Sequence, residues 1–191
     1  MTPAVSVLIP VRDAACVLAR SLLSVARQTW VDWECVVVDD GSRDATGEVV
    51  RGLARQDPRF RLLERPHRGI VGALAAGLEQ CRGEVIVRMD ADDVMAPDRL
   101  AAQVDALCSP AGLAAVGAHV RLFPRAHLRP GRLAYEAFLN SVRSEREVRA
   151  NAFVECPVAH PALAFRAATL RAFGYRDRGW PEDYDLVLRM L

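Results

Sequence analysis

At 191 residues the chain is long enough to bury one sizeable core and short for two. Half of it is apolar, and its 25 basic residues, all Arg, nearly cancel 24 acidic ones to leave +1, which argues against a general nucleic-acid or membrane-surface role. Cys16, Cys35, Cys81, Cys108 and Cys156 are odd in number and lack CxxC spacing, so they read as reduced, mostly buried small hydrophobes of a cytoplasmic protein. Met1-Thr2-Pro3-Ala4-Val5 has neither a charged leader nor a long apolar run, and no segment reaches about 18 apolar residues. Neither a signal peptide nor a membrane span is expected.

Short apolar runs alternate with helical patterns over the first hundred residues. Val5–Pro10 reads as a buried strand, and Ala15–Gln28 as a helix with Val17, Leu18, Leu22 and Val25 on one face. Glu34–Asp39 is a second strand ending in Asp39-Asp40-Gly41-Ser42, with Asp44 placed to cap a helix over Ala45–Gln56. A strand at Phe60–Glu64, a small-residue helix at Gly69–Cys81 and a strand at Val85–Met89 follow. Near-continuous Val/Ile/Leu strands separated by helices predict an α/β protein with a mainly parallel sheet covered on both faces. In such sheets ligands bind beyond the carboxyl ends of the strands. Pro10, Asp39-Asp40 and Asp90-Ala91-Asp92 all fall there.

Further on, Pro97 introduces a helix at Asp98–Leu107, and Ala114–Phe123 reads as a strand. The Arg-punctuated stretch from Pro124 to Pro157 reads as helix and loop, solvated or facing an acceptor. Ala159–Phe165 is strand-like, Ala167–Phe173 is a helix closed by Gly174, and a last helix begins near Glu182.

Asp90, Asp92 and Asp93 place three carboxylates in four residues directly after an apolar strand. Two like charges about 4 Å apart repel by roughly 4 kcal/mol at an effective dielectric near 20, so such a group invites a cation. Asp-x-Asp offers hard oxygens suited to Mg²⁺ or Mn²⁺, which complete their shells with water and substrate phosphates. A solvated turn or helix cap is the plainer alternative.

In this order the pieces resemble glycosyltransferase family 2, the inverting nucleotide-sugar transferases. The matching segments are Val5-Ser6-Val7-Leu8-Ile9-Pro10-Val11, Ser21 to Thr29, and Val37-Val38-Asp39-Asp40-Gly41-Ser42. They continue with His67-Arg68-Gly69-Ile70 through Leu78, then Asp90-Ala91-Asp92-Asp93 with Pro97-Asp98-Arg99-Leu100. His160-Pro161 and Pro181-Glu182-Asp183-Tyr184-Asp185-Leu186 complete the set. The resemblance implies a GT-A type, Rossmann-like three-layer sandwich in one domain over 1–191, with a nucleotide-sugar-binding half at 1–107 and an acceptor and catalytic half at 108–191.

By the same resemblance, Asp92 holds Mg²⁺ or Mn²⁺, and Asp90 lies toward the ribose and the metal shell. Asp39 and Asp40 accept from the base N–H and ribose hydroxyls, with Pro10 and Val11 as the pocket wall. Arg68 is placed to reach the diphosphate, and Asp183 is the base for the acceptor hydroxyl. The donor is a nucleotide-sugar, UDP by default. The acceptor is a glycan or a lipid-linked sugar, with contact at the inner membrane face left open.

Each residue also has a plainer reading: Asp39-Asp40 as a turn, Glu182-Asp183 as a helix start favoured by the dipole, His160 and Trp180 as core. The chain departs from the family pattern at Ala75, where an Asn is usual, and at Arg12. Family members also generally continue past the Glu-Asp helix. That leaves a compact member, a fragment or a catalytically impaired nucleotide-sugar-binding domain as alternatives. A nucleotidyltransferase is disfavoured because Pro10-Val11-Arg12-Asp13 replaces a Gly-rich loop, and a dehydrogenase because no GxGxxG follows the first strand.

Overall fold

The computed structural model describes residues 3–191, so Met1 and Thr2, which open the segment read as free of a leader, lie outside the described residues. Strands and helices alternate as β1 (Val5–Val11), α1 (Ala15–Ala26), β2 (Trp33–Asp39), α2 (Thr46–Ala54), β3 (Phe60–Glu64), α3 (Gly69–Gln80), β4 (Val85–Arg88) and α4 (Arg99–Cys108). Each lies within about two residues of its expected bounds, because the apolar runs that define the strands are also the segments buried on both faces. The strands β1 to β4 are parallel. With β5 (Ala115–Val116) and β6 (Ala164–Arg166) they form a six-stranded sheet of order β3-β2-β1-β4-β6-β5, in which β6 runs antiparallel to both neighbours.

Alternation along the strands sends side chains to two cores. Val5, Val7, Ile9 and Val11 face Leu18, Leu22 and Val25 of α1, Val50 of α2 and Leu100 of α4. Leu8, Val36 and Ile86 face Leu74 and Leu78 of α3 on the other side. That second layer is completed by α7 (Ala167–Phe173) and α8 (Glu182–Met190) through Leu170, Leu186 and Val187. The arrangement is the expected α/β three-layer sandwich with a mainly parallel sheet. The small-residue character of α3 has a steric cause: a Cβ on Gly77 would lie 2.3 Å from Leu8 Cδ1 and 2.6 Å from Val38 Cγ2.

Two expectations change beyond residue 110. The strand expected over Ala114–Phe123 is only Ala115–Val116, because its neighbour β6 offers just three residues to pair with. Past it, side chains of α5 (Pro130–Ser141) replace the ladder: Asn140 bonds both the N–H and the C=O of Val120 at 2.8 Å, and Glu136 accepts from Leu122 N–H at 2.6 Å. The strand-like Ala159–Phe165 begins instead as a 3-10 turn over His160–Ala162, since Pro161 has no N–H to give a ladder. The Arg-rich stretch contains α5 and α6 (Glu145–Asn151), as its helix-and-loop reading anticipated.

All five cysteines are free, and Cys35, Cys81 and Cys156 are buried. Among the described residues no helix is long and apolar enough to cross a membrane.

Candidate active site

The carboxyl ends of β1, β2 and β4 lie side by side, which brings three loops to one edge of the sheet. Those after β1 and β2 are laced together. Asp13, in a left-handed conformation, accepts from Arg43 N–H at 2.7 Å, and its own N–H donates to Ser42 Oγ at 2.9 Å. Asp44 stands one residue before the α2 cap and bonds both Thr46 and the first N–H of α1, at Ala15. It therefore serves two helix starts, a role its position as a plain cap did not announce.

Asp39 and Asp40 are both buried, at 5% and 4% exposure, and do different things. Asp39 accepts from Ser42 N–H at 2.8 Å, tightening its own turn. It lines a cleft of about 310 Å³ with Gly41, Ser42, Glu64, Arg65 and Pro66. Asp40 turns toward the start of α3, accepting from Arg68 N–H (3.0 Å) and Gly69 N–H (2.8 Å) and pairing with His67 Nδ1 at 2.6 Å. Burial pushes its carboxyl up, but these donors outweigh it and hold the group below its usual range. Gly41 joins the two functions: its φ is +76°, and a Cβ there would sit 2.9 Å from His67 N. Val11 is buried in the core on the α1 side, Pro10 is half-buried, and Arg68 is exposed with no side-chain partner among the described residues. Arg12 bonds His67 Nε2 at 2.7 Å, so the departure at Arg12 extends the Asp40 cluster.

The acidic end of β4 is clamped from the α1 side. Ser21, Ser24 and Gln28, a buried polar stripe at i, i+3 and i+7, reach across to it. Ser21 Oγ donates to Asp90 C=O at 3.3 Å, and Ser24 Oγ accepts from Met95 N–H at 2.9 Å. Gln28 accepts from Leu100 N–H at 3.0 Å and donates to Ala96 C=O at 2.6 Å. Two serines on the apolar face of α1 and a glutamine just past its end were the available signal for this clamp, and sequence reasoning passed over it.

Asp90 is half-buried with one oxygen, Oδ1, 2.6 Å from Arg88 Nη1, whereas Asp92 is exposed without a side-chain partner among the described residues. Asp93 is pushed up to about 6, first by burial and then by the charges of Asp90 and Asp92. The loop thus carries negative charge on hard oxygens that Arg88 offsets only in part, which fits a divalent cation. Among the described residues no group of three His, Cys, Asp or Glu side chains converges to enclose one. A cation held by Asp92 and the free oxygen of Asp90 would complete its shell with water and phosphate.

On the other face, β4 lies against the His160–Ala162 turn. His160 is 4% exposed, between Tyr175 Oη at 3.2 Å and Glu182 Oε1 at 3.6 Å. Burial lowers the His160 pKa against the opposing pull of Glu182. Glu182 is therefore turned inward, while the Asp183 carboxylate has as its partner the N–H of Tyr184 at 2.8 Å. Trp180 is exposed beside them, its ring 6.0 Å from Tyr184, so it is not a core residue.

The sequence profile of Glycosyl transferase family 2 matches residues 6–170, and the chain belongs to that family. An uncharacterized glycosyltransferase of Haemophilus influenzae is 34% identical over 104 residues, covering 54% of this chain and 42% of that protein. A mannosyltransferase from Pyrobaculum calidifontis, solved with GDP-Man and Mn²⁺, superposes with a TM-score of 0.73 at 28% identity over 97% of this chain and 51% of the other. Staphylococcus aureus TarS, solved with UDP, shares the fold at a TM-score of 0.68 and 21% identity, over 97% of this chain and 54% of that one. The chain spans about half the length of these relatives.

Proposed function

We propose that the chain is the donor-binding and transfer domain of a metal-dependent, inverting glycosyltransferase that moves a sugar from a nucleotide-sugar to a hydroxyl of a glycan or lipid-linked acceptor. The observation that carries the reading is the division of labour among the carboxylates. Asp40 is consumed by structural partners and Glu182 is turned inward beside His160, while Asp39, Asp92 and Asp183 keep oxygens free at the carboxyl edge of the sheet or beside it.

In this reading the half at 1–107 takes the nucleotide. Asp39 accepts from the base or ribose in the cleft with Ser42 and Arg65, which Pro66 borders; Pro10, half-buried at the end of β1, keeps its place as a pocket wall by the resemblance alone. Asp40 acts one step back, by fixing the turn that presents Arg68 and the start of α3 to the diphosphate. Asp92, with the free oxygen of Asp90, would hold Mg²⁺ or Mn²⁺, which when bound supplies Lewis-acid neutralisation of the leaving diphosphate.

The half at 108–191 takes the acceptor and supplies the base. The acceptor hydroxyl gives its proton to Asp183 and bonds to the anomeric carbon from the face opposite the departing diphosphate, with inversion. Asp183 takes this role by the resemblance, and Glu182 beside it is turned inward, with His160 Nδ1 3.6 Å from its Oε1. UDP is the default nucleotide by resemblance. The GDP-Man carried by the Pyrobaculum calidifontis relative makes GDP the competitor to test.

The experiment is calorimetric titration of UDP and GDP, with and without Mn²⁺, into wild type and Asp92→Ala, followed by transfer assays. Metal-dependent nucleotide binding lost in Asp92→Ala supports the donor site. Binding without transfer to any acceptor favours the nucleotide-sugar-binding alternative, which the alanine at Ala75 also favours. No nucleotide binding refutes the reading.

A further inference from the structure

The last residue of β4, Arg88, has no assigned part in the reaction just proposed, yet its side chain is 2% exposed. Ile86, two residues earlier on the same face, packs with Leu8, Val36 and Phe165, so an apolar residue at 88 would continue that core. A buried guanidinium cannot shed its proton and is costly to bury unless opposite charge compensates it. Its backbone is pinned at both ends: Arg88 N–H donates to Leu163 C=O at 2.9 Å, and Arg88 C=O accepts from Arg99 Nη2 at 3.0 Å. Its close charge partner is Asp90, whose Oδ1 lies 2.6 Å from Nη1. The contact is an ion contact rather than a two-pronged fork, because Nε and Nη1 make no well-aligned hydrogen bond among the described residues.

We infer that Arg88 is the internal counter-ion of Asp90 in the acidic loop: it holds Asp90 by one oxygen, offsets the loop's negative charge when no divalent cation is bound, and leaves the other oxygen and Asp92 to that cation. This rests on the metal reading above and deepens it. Arg88 is a positioning residue, since it touches neither donor nor acceptor. Its charge keeps two crowded carboxylates compatible with the folded loop before the donor arrives, and the cation takes over that task afterwards.

The role makes stability depend on metal in a way that simple packing does not. Arg88→Met fills similar volume and removes the charge. In chelator it should melt several degrees below wild type, because the half-buried Asp90 carboxylate then faces its acidic neighbours without its cation. Millimolar Mn²⁺, alone or with UDP or GDP, should restore at least half of that loss, against a smaller shift of the wild type. Arg88→Lys keeps the charge and should respond to Mn²⁺ as wild type does. The double variant Arg88→Met/Asp90→Asn should regain stability in chelator and lose the enhanced Mn²⁺ response.

An equal loss for Arg88→Met with and without Mn²⁺ overturns the inference in favour of packing. If Arg88→Met folds under neither condition, the double variant decides: folding in chelator supports the counter-ion role, and failure to fold overturns it. Calorimetry of Mn²⁺ with nucleotide into the wild type separates the two levels. No metal binding there overturns the metal reading and the counter-ion role together, whereas binding with no excess rescue of Arg88→Met overturns only the latter.

Discussion

The two halves of the molecule solve the backbone hydrogen-bond problem differently. From Val5 to Arg88, every strand lies in a parallel ladder, and buried polar side chains such as Glu34 and Asp40 are bound by neighbours far away in sequence. Beyond β5, side chains do what strands do elsewhere: Asn140 and Glu136 satisfy the backbone of Val120 and Leu122. That half also leaves Phe153 and Val154 at 87% and 79% exposure. A site hung on ladder ends is held rigid by the sheet. One built from turns and helix starts is held by a few side chains and tolerates change. In the proposed reaction this is the difference between a shared donor and a variable acceptor.

The largest effect should fall where the second half is proposed to supply the base. Asp183→Asn is expected to lower transfer by about 100- to 10,000-fold while leaving nucleotide affinity within about twofold of wild type. A parallel loss of nucleotide affinity, seen by titration calorimetry, would break the separation of the halves. Next, Asp40→Ala strands His67 and two N–H groups at the start of α3. It should cost about 3 kcal/mol and lower the melting temperature by roughly 6–12 °C, measured by calorimetric scanning.

Within the sheet, Gly77→Ala forces a methyl against Leu8 and Val38 and should cost about 1–3 kcal/mol in urea unfolding. A smaller effect is one of pH. Burial pushes the Glu34 carboxyl up, but donors from Arg82, Ser6 and Arg61 outweigh it and hold the group below 4.5. A depressed carboxyl contributes stability above its unfolded pKa and loses it as pH falls through the folded value. The gap in urea midpoint between wild type and Glu34→Gln should therefore be open at pH 7 and close from about pH 5 to pH 3. Smallest of all, Phe153→Ser on the exposed turn should stay within about 0.5 kcal/mol of wild type, and a larger loss would show that this surface is packed in solution.

The comparison also explains what was legible. The strands from β1 to β4 could be read from Val5-Ser6-Val7, Cys35-Val36-Val37-Val38 and Val85-Ile86-Val87 because burial on both faces leaves short, Val/Ile-rich apolar runs, each followed by turn residues and a helical pattern. The edge strand was overread because Ala114–Phe123 has the same apolar character, and nothing local says that β6 is only three residues long. The acidic residues were found as a set but not by role. Asp39 and Asp40 are neighbours of the same type, and only the approach of His67, Arg68 and Gly69 turns one into a cap and leaves the other facing the cleft.

The sequence by itself determined the alternation of the elements, the two-sided sheet and the collection of carboxylates at its carboxyl edge. These follow from hydrophobic period and strand direction, which are local properties. Only the tertiary structure decided which carboxylates are already spent, that Ser21, Ser24 and Gln28 clamp the acidic loop, and that a buried arginine faces Asp90. Each of these depends on residues that the fold brings together, and whether a polar group is free for chemistry depends on which partner reaches it first.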